Sequence, residues 1–98
     1  MEIKYKNRKL EKICTIVSEG KKYYHIEMVK KIHQRIGEIY AADTVDFLIQ
    51  SKIGRCHALI GNRKGQYAMD LLQPYRLIFE EVDNTIKIVK VIDILDYH

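Results

Sequence analysis

The side chains able to do chemistry gather in the second half of the sequence: His57, Arg63, Lys64, Arg76 and the run Asp96-Tyr97-His98. Histidine changes charge near neutral pH, and guanidinium groups present paired donors that match phosphate oxygens. Arg76 lies between Tyr75 and Leu77 in a stretch of strand-like alternation, so its side chain should emerge on the face opposite theirs. Two uses fit a cation so placed: a clamp on phosphate, or an ion pair with Asp70 or Glu80. Arg63 and Lys64 stand between Gly61 and Gly65, in a loop where backbone and side chain can both approach a ligand. His25 and His33 fall on helix faces and are read as structural or simply exposed. No glycine-rich phosphate loop, Ser/His/Asp spacing or carboxylate pair occurs. Cys14 and Cys56 are far apart, with neither a CxxC nor close histidines, which argues against a zinc knuckle or a disulfide framework and for reduced, buried thiols.

Two kinds of periodicity must position these residues. Glu2 to Tyr5 reads as a short strand, and Asn7 as the cap of a helix whose apolar residues Leu10, Ile13, Cys14 and Val17 recur at helical spacing, ending near Gly20. From about Tyr24 to Ala42 the same spacing returns in Met28, Val29, Ile32, Ile36, Ile39 and Tyr40, giving a helical hairpin. Asp43 is the expected cap of a short third helix through Phe47 and Leu48. After Arg55 the period falls to two. Strands are expected over Cys56 to Ile60, Gln66 to Leu71, Tyr75 to Glu80 and Thr85 to Asp93, with turns at 61–65, 72–74 and 83–84. This order predicts an α+β layer, its helices on one face of a curled antiparallel sheet.

Composition sets the frame. Ninety-eight residues, 47% hydrophobic and 31% charged with one proline, suit one domain over 1–98 and exclude disordered and low-complexity classes. No apolar run approaches a membrane span, and charges occupy the start where a signal peptide needs apolar residues, so a cytoplasmic location is expected. The net charge of +4 is unevenly spread. Residues 1–35 and 52–76 are basic, whereas 36–51 and 77–98 are acidic. If the two basic segments meet in the fold, they form a surface that attracts a polyanion such as RNA.

The run from Gly54 through Leu71, then Pro74-Tyr-Arg-Leu-Ile-Phe79 and the closing Asp96-Tyr-His98, resembles the HigB-type killer proteins of bacterial toxin–antitoxin pairs, within the RelE/ParE superfamily. The opening Ile3 to Lys12 is similar too, so the likeness spans nearly the whole chain. It implies a RelE-like α+β fold, with an N-terminal strand and a helical hairpin packed on a curled antiparallel sheet of four to five strands. It further implies a metal-independent, ribosome-dependent mRNA endoribonuclease needing no cofactor. A helix-turn-helix HigA-type antitoxin would neutralise it, with a heterotetramer as the expected complex.

Carried over residue by residue, the resemblance makes His98 a general acid or base and His57 a second acid–base or substrate-positioning group. Arg76 and Arg63 become phosphate clamps; Arg55 and Lys64 are expected as further RNA-binding cations from the basic charge of the central segment and not from the resemblance. Tyr97 stacks on a base or orients the phosphate, and Asp96 holds the chain end. Cleavage by an adjacent 2′-hydroxyl needs such a set: a base, cations for the charge on the phosphorane oxygens, and an acid for the departing 5′-oxygen. One departure stands out. Many relatives carry a lysine where this chain has Ile60, and their Gly-Asp-Arg is here Gly61-Asn62-Arg63; Lys64 is the nearby cation. The alternative within the superfamily is a toxin without catalysis that binds a protein target such as DNA gyrase, and a plain RNA-binding module is a third reading.

Overall fold

The computed structural model describes residues 1–97; His98 lies outside the described residues. The chain runs β1 (Glu2–Tyr5), α1 (Arg8–Thr15), α2 (Val17–Gly20), α3 (Ile26–Ala41), α4 (Val45–Gln50), β2 (His57–Ala58), β3 (Gln66–Asp70), β4 (Tyr75–Asp83) and β5 (Ile88–Asp96). Short 3₁₀ turns occupy Ile53–Arg55 and Gly61–Arg63.

Asn7 caps α1 as its side-chain type requires, its Oδ1 accepting from the Leu10 amide at 2.8 Å. The helix does not continue to Gly20. Thr15 turns its hydroxyl back to the Glu11 carbonyl at 2.7 Å, a bond that bends helices, and Ile16 leaves helical geometry at φ −125°, ψ 114°. Val17 therefore faces solvent instead of extending the buried stripe of Leu10, Ile13 and Cys14. His25 caps α3, whose Met28, Val29, Ile32 and Ile39 are buried while Tyr40 is exposed. The cap of α4 is Thr44, whose Oγ1 accepts from the Phe47 amide at 3.0 Å. Asp43 stands one residue too early for that role, and the resulting helical phase buries Val45 and Leu48 but exposes Phe47.

The five strands form one sheet in the order β1-β5-β4-β3-β2. Four of them pair antiparallel, as the alternation predicts, but β1 lies parallel to β5, so the sheet is mixed rather than wholly antiparallel. The reason is topological: β1 and β5 come from opposite ends of the chain, and no hairpin constrains their direction. β2 shrinks from the expected Cys56–Ile60 to two residues, because Gly61 turns the chain at φ +67° straight after Leu59 bonds to Gln66. The last strand starts later than expected. Asp83 Oδ1 accepts from the amides of Thr85 and Ile86, holding both in the turn, and β5 then runs on to Asp96.

The pleat sorts the residues of β3 and β4. Met69, Leu77 and Phe79 point into the helix-covered core with Ile32, Ile39 and Leu48, each such buried side chain contributing about 1.5–3 kcal/mol. Ala68 and Ile78 are also fully buried but stand outside that core cluster, on the face turned from the helices. Among the described residues no helix is long and apolar enough to cross a membrane.

One contact joins the helix layer to the far end of β3. Arg35 of α3, only 12% exposed, donates from Nε to the Asp70 carbonyl at 2.7 Å and from Nη1 to Glu38 at 2.8 Å. Gly54 lies against its guanidinium: a Cβ there would sit 2.8 Å from Arg35 Nε, and the residue has φ +58°. Gly54→Ala should therefore destabilise the protein by about 1–3 kcal/mol in urea unfolding. Gly37→Ala, in mid-helix with open space around it, should stabilise by roughly 0.5–1 kcal/mol. Equal midpoints for Gly54→Ala and the wild type would contradict this packing.

Candidate functional site

Of the residues singled out by sequence, the face of the sheet turned from the helices carries Arg55, His57, Arg76 and Tyr97. Strand register aligns His57, Ala68, Ile78 and Asp93 in one row across four strands, and Asp70, Arg76 and Leu95 in the next. This follows from the pleat alone, since each residue alternates with one that points into the core. The wide reach of the row is itself informative: His57 and Asp93 are three strand spacings apart, about 14 Å.

Asp70 is the centre of the nearer row. Its carboxylate receives Arg55 through Nε on Oδ2 and through Nη2 on Oδ1, and lies 3.4 Å from Arg76 Nε. The Arg55 hydrogen bond, then its charge, then Arg76 and His57 hold the Asp70 carboxyl below its ordinary range, against the opposing effect of partial burial. Arg55 stands in the left-handed region at φ +51°, an uncommon conformation for a side chain of its size, and its side chain remains 65% exposed. Arg76 is drawn in more deeply, at 24% exposure, and its guanidinium carbon sits 4.4 Å from the centroid of the Tyr97 ring. Tyr97 is fixed in turn by its amide, which donates to the Pro74 carbonyl at 3.0 Å.

His57 has its Nδ1 2.8 Å from the Arg55 carbonyl. A carbonyl can only accept, so Nδ1 carries the proton, and the neutral ring presents the Nε2 lone pair. One histidine, two guanidinium groups and a tyrosine ring thus share a patch able to bind a phosphodiester and take up a proton.

Other sequence candidates fall elsewhere. Arg63 is engaged by Gln66 Oε1 at 2.8 Å and lies 3.8 Å from Asp93, so it serves the β5 side of the face, in a concavity of about 500 Å³ shared with Lys6, Asn62 and Ile92. Lys64 and Ile60 project from the loop, Ile60 at 88% exposure. Asp96 closes β5 opposite Tyr75. The role expected of His98 lies outside the described residues. Burial pushes the thiols of Cys14 and Cys56 up to about 12, which suits inert core residues. A second concavity of about 880 Å³, between β1 and the helices, is lined by Ile3, Tyr5, Ile36 and Tyr40 among others and holds none of the cationic cluster. Among the described residues no group of three or more His, Cys, Asp or Glu could hold a metal ion.

Sequence reasoning treats Asp70 only as a possible partner of Arg76 and places Arg35 among the polar faces of its helix. The signal for Asp70 was its register: counting back from the turn at 72–74 sets it opposite Arg76. Nothing local marks the bond from Arg35 to the Asp70 carbonyl, which spans 35 residues.

No protein-family model matches this sequence, and no curated protein does. Solved structures do match in fold. A YoeB/ParE toxin from Agrobacterium tumefaciens superposes with a TM-score of 0.70 at 14% identity, over 100% of both chains. The YoeB-YefM complex from Staphylococcus aureus gives 0.66 at 20% identity, and the YoeB dimer from the same organism 0.65 at 21%, each over 100% of this chain and 97% of theirs. The chain thus has the α+β fold of these toxins.

The lowered carboxyl of Asp70 has a thermodynamic sign. A group whose pKa falls on folding adds stability above its unfolded value and loses it as pH drops through the folded one. The melting temperature of the wild type should exceed that of Asp70→Asn at neutral pH, with the gap closing as acid protonates the Asp70 carboxylate. A gap that stays constant as pH falls would contradict the ion-paired cluster.

Proposed function

We propose that this chain is a HigB-type toxin of the RelE/ParE superfamily, a ribosome-dependent mRNA endoribonuclease of a type II toxin–antitoxin system that works without a metal ion in the cytoplasm. The observation that carries this reading is the Arg55–Asp70–Arg76 cluster with His57 and Tyr97 beside it, on the sheet face that the helices leave uncovered. The fold it shares with solved toxins and the motifs quoted above support it.

In the proposed reaction the 2′-oxygen attacks the adjacent phosphorus while a base takes its proton, and the bond to the 5′-oxygen breaks as an acid protonates it. The products are a 2′,3′-cyclic phosphate and a free 5′-hydroxyl. His57, with Nδ1–H held by the Arg55 carbonyl, offers Nε2 as the base. His98 is then assigned the acid, Arg76 and Arg55 the charge on the phosphorane oxygens, and Tyr97 the stacking surface. Arg63 and Lys64 bind the flanking strand, and Asp96 sets the end of β5. The partners are the ribosome, mRNA and a helix-turn-helix HigA-type antitoxin in a heterotetramer; the solved YoeB-YefM complex supports an antitoxin partner.

A second reading rests on Ile60. Its exposed side chain stands where many relatives carry lysine, which favours a toxin that binds a protein target such as DNA gyrase without cleaving RNA.

Single-turnover cleavage on programmed ribosomes tests the choice. His57→Ala, Arg76→Ala and His98→Ala should each slow cleavage by roughly 10²–10⁴-fold, while His98→Ala changes stability by less than about 0.5 kcal/mol. Full activity in all three variants would remove the site from this face. A wild type that leaves mRNA intact yet inhibits supercoiling by gyrase would establish the second reading.

A further inference from the structure

We infer that Asp70 is a positioning residue of this site: its carboxylate sets the guanidinium groups of Arg55 and Arg76 side by side as one clamp for the RNA phosphodiester at the cleavage point. The inference rests on the ribonuclease reading and adds to it a residue that never touches substrate.

Four observations carry it. The carboxylate is 18% exposed and lies between two arginines that arrive from different elements, Arg55 from the turn before β2 and Arg76 from β4. It meets Arg55 through both Nε and Nη2 and Arg76 through Nε, which leaves Nη1 of Arg55 and the terminal nitrogens of Arg76 outside these contacts with Asp70. Its own backbone is anchored, because the half-buried Arg35 donates to the Asp70 carbonyl at 2.7 Å. Finally, Arg55 reaches Asp70 from a left-handed backbone, so the turn itself is shaped to deliver that side chain.

The charge count separates this role from simple attraction. Two guanidinium groups and one carboxylate leave the cluster with one net positive charge, so Asp70 weakens the pull on RNA while it orders the groups that must meet the transition state. Geometry and attraction should therefore move in opposite directions when the carboxylate is neutralised. A residue that merely supports the fold would lower binding, cleavage and melting together.

The test compares wild type, Asp70→Asn and Asp70→Glu at a temperature where all are folded. Binding is read by fluorescence anisotropy with a 2′-O-methyl RNA oligonucleotide, which cannot be cleaved, and chemistry by single-turnover cleavage on programmed ribosomes. Asp70→Asn should bind the oligonucleotide severalfold more tightly, with a steeper dependence on salt, yet cleave at least tenfold more slowly, and Asp70→Glu should recover part of the cleavage. Unchanged cleavage in Asp70→Asn, or parallel losses of binding and cleavage, would overturn the assignment. A wild type that binds but does not cleave overturns the ribonuclease reading instead. The Nε–H resonances of Arg55 and Arg76 then judge the clamp: a move to the position of exposed arginines in Asp70→Asn supports it, and resonances identical to wild type overturn it.

Discussion

The guanidinium of Arg35, withdrawn from water and bonded to the carbonyl of Asp70, is the constraint on which the arrangement of the site depends. Partial burial of a cation is costly unless it is paired and hydrogen-bonded, and this one has both Glu38 on its own helix and the end of β3 as acceptors. The bond ties α3 to the strand that carries Asp70. It also dictates the adjoining turn, since only a glycine at position 54 lets the chain pass so close to Arg35. Arg55 follows directly and swings its side chain onto Asp70 from the other side.

From that anchor the sheet divides the labour. The inner side of β3 and β4 supplies Met69, Leu77 and Phe79 to a core closed by the helices, and this rigid layer fixes the height and spacing of whatever alternates with it. On the outer side the same strands present Asp70 opposite Arg76, and Ala68 opposite Ile78. The pleat alone thus separates packing from chemistry. The bulge between Ile78 and Phe79 inserts Ile92 into β5, next to Asp93, and so shapes the end of the face where Arg63 is held.

Local signals in the sequence carried much of this. The Asn7 cap, the buried stripe of α3 and the two-residue alternation of Tyr75 to Glu80 each reflect contacts within a few residues, and the alternation alone directs Arg76 away from Leu77. What depended on distant partners was not legible. The parallel pairing of β1 with β5 joins the two ends of the chain, and the Arg35 bond spans 35 residues. Thr44 displaced Asp43 as a cap because both residue types can serve and only the start of the helix decides. For the site, Arg55, His57, Arg76 and Tyr97 gather on one patch, whereas Arg63 is claimed by Gln66 and Asp93 toward β5. The grouping became visible only once strand register was known.

The central claim is that RNA meets the protein on the helix-free face of the sheet. The direct measurement is a ¹⁵N NMR titration of the protein with an uncleavable 2′-O-methyl RNA. The account predicts that the largest shifts fall on Arg55, His57, Ala68, Asp70, Arg76 and Tyr97, with the amides of α1 and α3 little changed. Shifts confined to the lysine-bearing surfaces of α1 and α3, with the β3 and β4 signals unmoved, would contradict it.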